Sequence, residues 1–176
     1  EGRTFKGVLY CGLMITEEGP KVLEYNARFG DPETQVILPR LKTDLIDVFN
    51  AIIDEKLDQI NIEWDDRAAA CVILASGGYP EKYETGYEIK GIGINTNEND
   101  NNSISDVLIF HAGTRLENGK YYTSGGRVLG VTALGETLES AVEKAYKEVE
   151  KIYFRNMHYR KDIGRKKESG FVERTI

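Results

Sequence analysis

The fold is decided by the stretch Lys21-Val22-Leu23-Glu24-Tyr25-Asn26-Ala27-Arg28-Phe29-Gly30-Asp31-Pro32-Glu33. Residues 21–28 predict a β-strand, on which alternate residues share a face, so Glu24, Asn26 and Arg28 should point the same way. A carboxylate and an amide oxygen on one face suit Mg²⁺, which takes one or two protein oxygens and keeps phosphates in its shell. The guanidinium beside them supplies a planar fork for phosphate oxygens. The stretch therefore predicts a site for Mg²⁺ and phosphate.

A tight turn follows this strand. Glycine at position 30 allows positive φ, while Pro32 fixes its own φ and biases Asp31 away from helix. Proline is also common at the first position of a helix. We therefore expect the carboxylates of Asp31 and Glu33 just beyond the metal pair, where a helix begins.

A simpler interpretation of the strand remains open at this point. Its polar face could meet solvent, with Arg28 paired to Glu24 and no ligand involved. The residues around the strand shift the balance toward the metal site.

The run from Glu24 to Gln35 closely resembles the signature of the glycinamide ribonucleotide synthetase family of ATP-grasp ligases. The likeness continues in the family's order through further blocks, which are Gly7–Tyr10, Gly12–Met14, Gly77–Pro80, His111–Thr114, Gly125–Leu129 and Tyr159–Gly164. Several blocks in order are more specific than any one of them, and together they extend over nearly the whole chain.

The resemblance implies an α+β fold with two parts. Residues 1–62 would form the C-terminal part of an ATP-grasp module, a β-hairpin plus helices. Residues 63–164 would form a small β-rich, barrel-sandwich-like domain with a closing helix, and residues 165–176 a flexible tail. Residue 1 is glutamate, and the likeness matches only the C-terminal portion of these enzymes. We therefore expect a fragment, inactive alone, whose partners are the missing N-terminal domains of the same enzyme.

Local patterns predict the elements within this plan. Residues 7–16 predict a buried strand that pairs with residues 21–28 across a turn. Thr43 is the predicted cap of a packing helix that runs to about Leu57. The later predictions are strands at 68–75, 87–94, 107–112 and 127–133, a polar Asn-rich surface loop at 95–105, and an amphipathic helix at about 137–152.

Ser124-Gly125-Gly126-Arg127 is a second chemical candidate. Glycines leave backbone N–H groups free for an anion, and the arginine can bind phosphate. The alternative is that the two glycines only turn the chain into a buried strand. Related ATP-grasp enzymes hold a ribose phosphate with a similarly placed arginine, so the resemblance implies substrate contacts from Gly125, Gly126 and Arg127.

The resemblance also implies a reaction. ATP, glycine and 5-phosphoribosylamine would give glycinamide ribonucleotide, ADP and phosphate through glycyl phosphate, by positioning and charge neutralisation. Glu24 and Asn26 would hold Mg²⁺ or Mn²⁺ against ATP, and Asn26 and Arg28 would contact the nucleotide. Arg28 and Asp31 are the candidate catalytic residues, with Arg28 on the transferred phosphoryl group. Asp31 and Glu33 would receive the amine of a substrate.

Composition limits the other possibilities. The chain has 176 residues, 40% of them hydrophobic and 30% charged, with a net charge of −6, which argues against a nucleic-acid surface. No apolar run is long enough for a bilayer. Cys11 and Cys71 lie in apolar runs without paired spacing, which predicts buried, reduced thiols and a cytoplasmic protein. The alternatives are a non-catalytic binding or scaffold fragment and another ATP-grasp carboxylate–amine ligase.

Overall fold

The computed structural model describes residues 2–92 and 106–165. These residues form two compact units, unit 1 up to Asp66 and unit 2 from Arg67 to Arg165. The mixed α+β class predicted from the sequence is confirmed. The predicted loop at 95–105 and residues 166–176 of the predicted tail lie outside the described residues. The predicted boundary after residue 62 stays a prediction.

Unit 1 begins with a β-hairpin. Strands β1 (Tyr10–Thr16) and β2 (Gly19–Asn26) pair antiparallel and form a two-stranded sheet of their own. The register places Tyr10 opposite Asn26 and Gly12 opposite Glu24, and it shifts between Gly12 and Leu13 because Leu23 is an extra residue in β2. The predicted hairpin is therefore present, with a bulge next to the polar residues.

The prediction that the first strand is buried is wrong. Of the residues in β1 only Gly12 is buried, and Cys11, predicted to be a core thiol, is exposed. The physical reason is that a two-stranded sheet has no second layer of its own to cover either face. Cys71, in unit 2, is buried as predicted.

Two helices follow in unit 1, α1 (Thr34–Ile37), continued by a 3₁₀ turn over Leu38–Arg40, and α2 (Leu45–Ile53). A further 3₁₀ turn spans Leu57–Gln59. The predicted cap of α2 is wrong by one residue, because Asp44 Oδ1 accepts the hydrogen bond from Ile46 N at 2.7 Å. Thr43 Oγ1 instead accepts a bond from Glu63 N at 2.7 Å.

Helix α2 also ends four residues earlier than the predicted position near Leu57. Glu55 has a φ of 60°, and Lys56 N donates to Ala51 O at 2.8 Å, which is a Schellman ending. The helix was expected to be a packing helix, yet among its residues only Ala51 is buried. Its apolar spacing is helical, but the apolar residues are covered only in part, with Leu45, Val48 and Ile52 half-buried and Ile46 and Ile53 exposed.

Unit 2 contains two antiparallel sheets and one helix. The larger sheet has the order β5-β8-β3-β9, from β3 (Ala68–Ser76), β5 (Val107–His111), β8 (Arg127–Gly135) and β9 (Met157–His158). The smaller has the order β4-β7-β6, from β4 (Glu88–Ile89), β6 (Thr114–Glu117) and β7 (Lys120–Thr123). Helix α3 (Leu138–Val149) packs on β3 and β8.

The core of unit 2 lies between this helix and the larger sheet. It consists of buried apolar side chains from β3, β8, α3 and the segment after it, among them Val72, Leu74, Val128, Leu129, Val131, Val149, Ile152 and Phe154. Helix α3 begins after Thr137, whose Oγ1 accepts from Ser140 N at 3.2 Å. The long strands and this helix are therefore confirmed, with ends shifted by a few residues.

The predicted strand at 87–94 is wrong in length. Only Glu88 and Ile89 pair with β7, after which Lys90 bridges to Tyr153. At Gly91, with a φ of 80°, an added Cβ would lie 1.8 Å from Lys151 O, so the chain turns where it crosses the end of α3. Residues 93 and 94 lie outside the described residues.

In the described ranges no helix is long and apolar enough to cross a bilayer.

Candidate functional site

The polar end of the hairpin carries the predicted metal pair. Glu24 and Asn26 are alternate residues of β2 and therefore share a face, with Glu24 exposed and Asn26 half-buried. A Cβ at Gly12 would lie only 3.0 Å from Glu24 Cγ, so glycine leaves room for the glutamate to lie across the partner strand. Within the described residues, neither the Glu24 carboxylate nor the Asn26 side-chain amide has a hydrogen bond or ion pair. Both oxygens are available to an external ligand.

The donor set fits a magnesium ion held partly by phosphates. Among the residues that the structure describes, no group of three or more His, Cys, Asp or Glu side chains could form a closed metal cage. One carboxylate and one amide oxygen are hard donors, and Mg²⁺ completes such a set with phosphate and water.

Arg28 lies differently from its prediction. Strand β2 ends at Asn26, because β1 begins at the opposite residue, Tyr10, and offers no partner beyond it. Arg28 therefore lies in the following bend rather than on the strand face, and its Nη1 donates to Phe29 O at 2.9 Å. It is exposed and makes no ion pair with Glu24, so the pairing expected in the simpler interpretation is absent, whereas Glu24 does face solvent as that interpretation expects.

The turn after Arg28 is organised around Gly30, which is buried. Its φ is not positive, so the expected reason for glycine is wrong. An added Cβ would lie 2.1 Å from Glu33 Oε2, which means that glycine provides space for the folded-back Glu33 side chain. Thr34 N donates to Gly30 O at 3.0 Å and begins α1. Pro32 therefore precedes the helix instead of opening it.

Tyr10 is a site residue that the sequence analysis missed. Its hydroxyl donates to Glu33 Oε1 at 3.4 Å. The pKa of the Tyr10 phenol is raised, first by burial, then by the nearby Glu33 carboxylate and its hydrogen bond, and least by Glu24. Counting residues back from the hairpin turn would place Tyr10 near Asn26 on the partner strand. The bulge shifts the pairing, however, and the sequence does not show where that shift occurs.

Asp31 is exposed, and its Oδ1 accepts from Gln35 Nε2 at 3.0 Å. Glu33 is half-buried and turned toward Tyr10. The two carboxylates of the turn therefore have different partners. Asp31 accepts a hydrogen bond from a residue of α1, and Glu33 accepts one from a residue of β1.

In unit 2 the Gly125-Gly126-Arg127 segment is a close backbone crossing. A Cβ at Gly126 would lie 2.2 Å from Tyr79 Cδ2, and one at Gly125 would lie 3.0 Å from Gly113 Cα. Ser76 Oγ donates to Gly125 O at 2.8 Å, and Ser76 N donates to Gly126 O at 2.8 Å. These contacts give both glycines a packing role. The phosphate contacts of Gly125, Gly126 and Arg127 stay predictions.

Comparison with protein families assigns both units. Residues 1–34 match the family described as "Phosphoribosylglycinamide synthetase, ATP-grasp (A) domain", which places the hairpin in the ATP-grasp class. Residues 69–166 match "Phosphoribosylglycinamide synthetase, C domain". The chain therefore belongs to the phosphoribosylglycinamide synthetase family, and the resemblance found in its motifs is confirmed.

Individual relatives agree with this assignment. A phosphoribosylamine–glycine ligase of Caldanaerobacter subterraneus is 52% identical over 163 residues, covering 93% of this chain and 37% of that protein. The "Trifunctional purine biosynthetic protein adenosine-3" of Gallus gallus is 50% identical over 93% of this chain and 16% of its own length. The crystal structure of phosphoribosylamine–glycine ligase from Thermotoga maritima has a TM-score of 0.70 at 37% identity, over 88% of this chain and 36% of that chain. This chain thus spans little more than a third of the bacterial ligases it matches.

Proposed function

We propose that this chain is part of an ATP-dependent ligase that joins glycine to 5-phosphoribosylamine. The products would be glycinamide ribonucleotide, ADP and phosphate, formed through glycyl phosphate. The reaction is that of the bacterial relatives, which are phosphoribosylamine–glycine ligases. The observation that carries it is the pair Glu24 and Asn26, two uncommitted oxygen donors on one face of the hairpin.

In this proposal Glu24 and Asn26 hold Mg²⁺, or Mn²⁺ in its place, against the phosphates of ATP. When bound, the ion neutralises charge on the phosphates. Arg28 is exposed, and its hydrogen bond to Phe29 O uses one of five guanidinium N–H donors, so others can bind the transferred phosphoryl group. Asn26 also contacts the nucleotide.

Further residues contact the substrates in this proposal. Asp31 and Glu33 receive the ammonium group of glycine or the amine of phosphoribosylamine, with Asp31 the nearer candidate for a catalytic role. Arg127, the first residue of β8, binds the ribose phosphate together with the N–H groups of Gly125 and Gly126.

Partners and compartment follow from the same proposal. The partners are the small substrates and the further domains that the longer relatives contain, with no nucleic acid and no membrane. Neither Cys11 nor Cys71 forms a disulfide bond, which suits a reducing cytoplasm.

Nucleotide binding by the isolated chain and by the complete polypeptide that contains it tests this proposal. We expect tight magnesium–ADP binding only in the complete polypeptide, and loss of ADP formation when glycine is omitted. Glu24→Gln should weaken metal–nucleotide binding by about tenfold or more, since even indirect partners of a metal site are worth about that much. Glu17→Gln, an exposed glutamate of the hairpin loop, is the matched control. Equal binding by these two variants would refute the metal assignment.

Arg28 provides a separate test. Arg28→Ala in the complete enzyme should lower turnover by about 10²–10³-fold if the guanidinium stabilises charge on the phosphoryl group. Arg28→Lys keeps the charge without the fork and should recover only part of the loss. A loss below about tenfold for Arg28→Ala would contradict this role.

A further inference from the structure

We infer that Tyr10 is a positioning residue of this site, whose hydroxyl fixes the Glu33 carboxylate beside Glu24 and Asn26 so that Glu33 can accept a substrate amine. The inference deepens the proposed function and rests on it. It adds a residue and a specific task, the orientation of an amine-binding carboxylate.

The hairpin register places Tyr10 on the right face. Tyr10 lies directly opposite Asn26, and directly opposed residues of an antiparallel pair project to the same side of the sheet. Gly12 lies opposite Glu24 and has no side chain. At this end of the hairpin, β1 therefore contributes one functional group to the face, the phenol of Tyr10.

Glu33 is brought to Tyr10 by the turn. Its side chain folds back over buried Gly30, where an added Cβ would lie 2.1 Å from Oε2, and its other oxygen, Oε1, accepts from Tyr10 at 3.4 Å. The hydrogen bond holds Oε1, and the space that glycine leaves at position 30 accommodates Oε2. A glutamate side chain otherwise samples several rotamers, so the bond from Tyr10 limits where the carboxylate lies.

A neutral donor suits this position electrostatically. Burial and the Glu33 carboxylate both raise the pKa of Tyr10, so the phenol keeps its proton at neutral pH. It can stabilise Glu33 without adding a positive charge that would compete with a metal ion or an ammonium group. A cationic side chain in its place would pair with the carboxylate and block the amine.

The hairpin also offers a matched control. Tyr25 lies opposite Cys11 on the other face of the same two strands and is 63% exposed. In the complete enzyme, Tyr10→Phe should raise KM for glycine or for phosphoribosylamine by about 3- to 10-fold through loss of one hydrogen bond. Its KM for ATP should stay within about twofold, and Tyr25→Phe should change none of these constants.

Coupling to Glu33 distinguishes positioning from a general structural effect. Tyr10→Phe should add nothing to the loss in Glu33→Gln, since the hydroxyl acts through that carboxylate. Gly30→Ala, whose backbone φ any residue can adopt, should reproduce the KM effect by displacing Glu33.

Two results are decisive in different ways. If the complete polypeptide does not form ADP from ATP with glycine and phosphoribosylamine, the proposed function fails. If it is active but Tyr10→Phe behaves like Tyr25→Phe, raises only the KM for ATP, or adds fully to Glu33→Gln, the inference about Tyr10 is overturned.

Discussion

One methyl group added at Gly113 should destabilise unit 2 much more than one added at Gly125, although the two glycines face each other. At Gly113 the new Cβ would lie 2.6 Å from Gly125 Cα, 2.7 Å from Arg127 O and 2.8 Å from Gly125 N, all backbone atoms. At Gly125 it would lie 3.0 Å from Gly113 Cα and 3.7 Å from Arg127 O. The contact distances differ because the Cα–Cβ bonds at the two positions would point in different directions, although the distance between the two backbones is the same for both.

Hydrogen bonds prevent the two backbones from separating. Ser124 N donates to Gly113 O at 2.7 Å, and Gly113 N donates to Arg127 O at 2.9 Å. Overpacking costs about 1–3 kcal/mol, and replacing glycine by alanine returns about 0.4–1 kcal/mol through the unfolded chain. We expect a net loss near the upper end of the resulting range, about 2–2.5 kcal/mol, for Gly113→Ala and about 0–1 kcal/mol for Gly125→Ala.

Thermal and urea unfolding followed by circular dichroism would measure the difference. With about 2–4 °C lost per kcal/mol in a chain of this size, Gly113→Ala should melt about 4–10 °C below the unmodified protein. Gly125→Ala should lose at most about 4 °C. Equal destabilisation, or a larger loss at Gly125, would show that the crossing relaxes and would refute the reasoning.

Three further predictions concern unit 2. The pKa of Asp106 is lowered, and the hydrogen bond from Lys144 is the largest cause. The stabilisation that the Asp106 carboxylate provides should therefore be present above the unfolded aspartate pKa of about 4 and lost as pH falls through the lower folded value. Asp106→Asn should therefore remove about 0.5–1 kcal/mol near neutral pH and flatten the acid decline in a urea titration, whereas an unchanged acid profile would contradict this. Phe154→Ala, at a fully buried site, should lower the free energy of unfolding by about 3–5 kcal/mol, against about 0.5 kcal/mol or less for Leu116→Ala at a 60% exposed site. Thr137→Ala should cost about 1 kcal/mol through loss of the α3 cap, and a matching loss of helical ellipticity on mild heating would support the cap assignment.

Local spacing was enough to predict the hairpin and the shared face of Glu24 and Asn26. Glu24 and Asn26 share a face wherever a strand carries them, because the side-chain period is two. The amphipathic stripe of α3 and the long apolar strands β3 and β8 likewise follow from the periodicity of their side chains. Such features depend on a few neighbouring residues, which the sequence displays directly.

Features that depend on where pairing stops could not be predicted this way. Arg28 leaves the strand face because β1 has no residue to pair beyond Tyr10, and that limit lies in another part of the chain. Helix α2 ends at Ile53 although Glu55, rather than glycine, takes the left-handed position. The exposure of β1 could not be predicted for the same reason. An apolar run of residues indicates that a strand can pack in a core, but it does not show which other element would cover the strand.

The glycines of the hairpin site show why the sequence predicts which chemical groups the site contains but not how they are arranged. Gly12 and Gly30 appear as turn or strand residues, yet each leaves space for an acidic side chain, the Cγ of Glu24 in one case and the carboxylate of Glu33 in the other. The site is thus shaped by missing side chains as much as by those present. A methyl group at either glycine would move an acidic side chain without altering any charge. The Tyr10 hydroxyl, which donates to Glu33, has a pKa raised by burial and by both acids, so a change at either glycine would also alter the surroundings of that phenol.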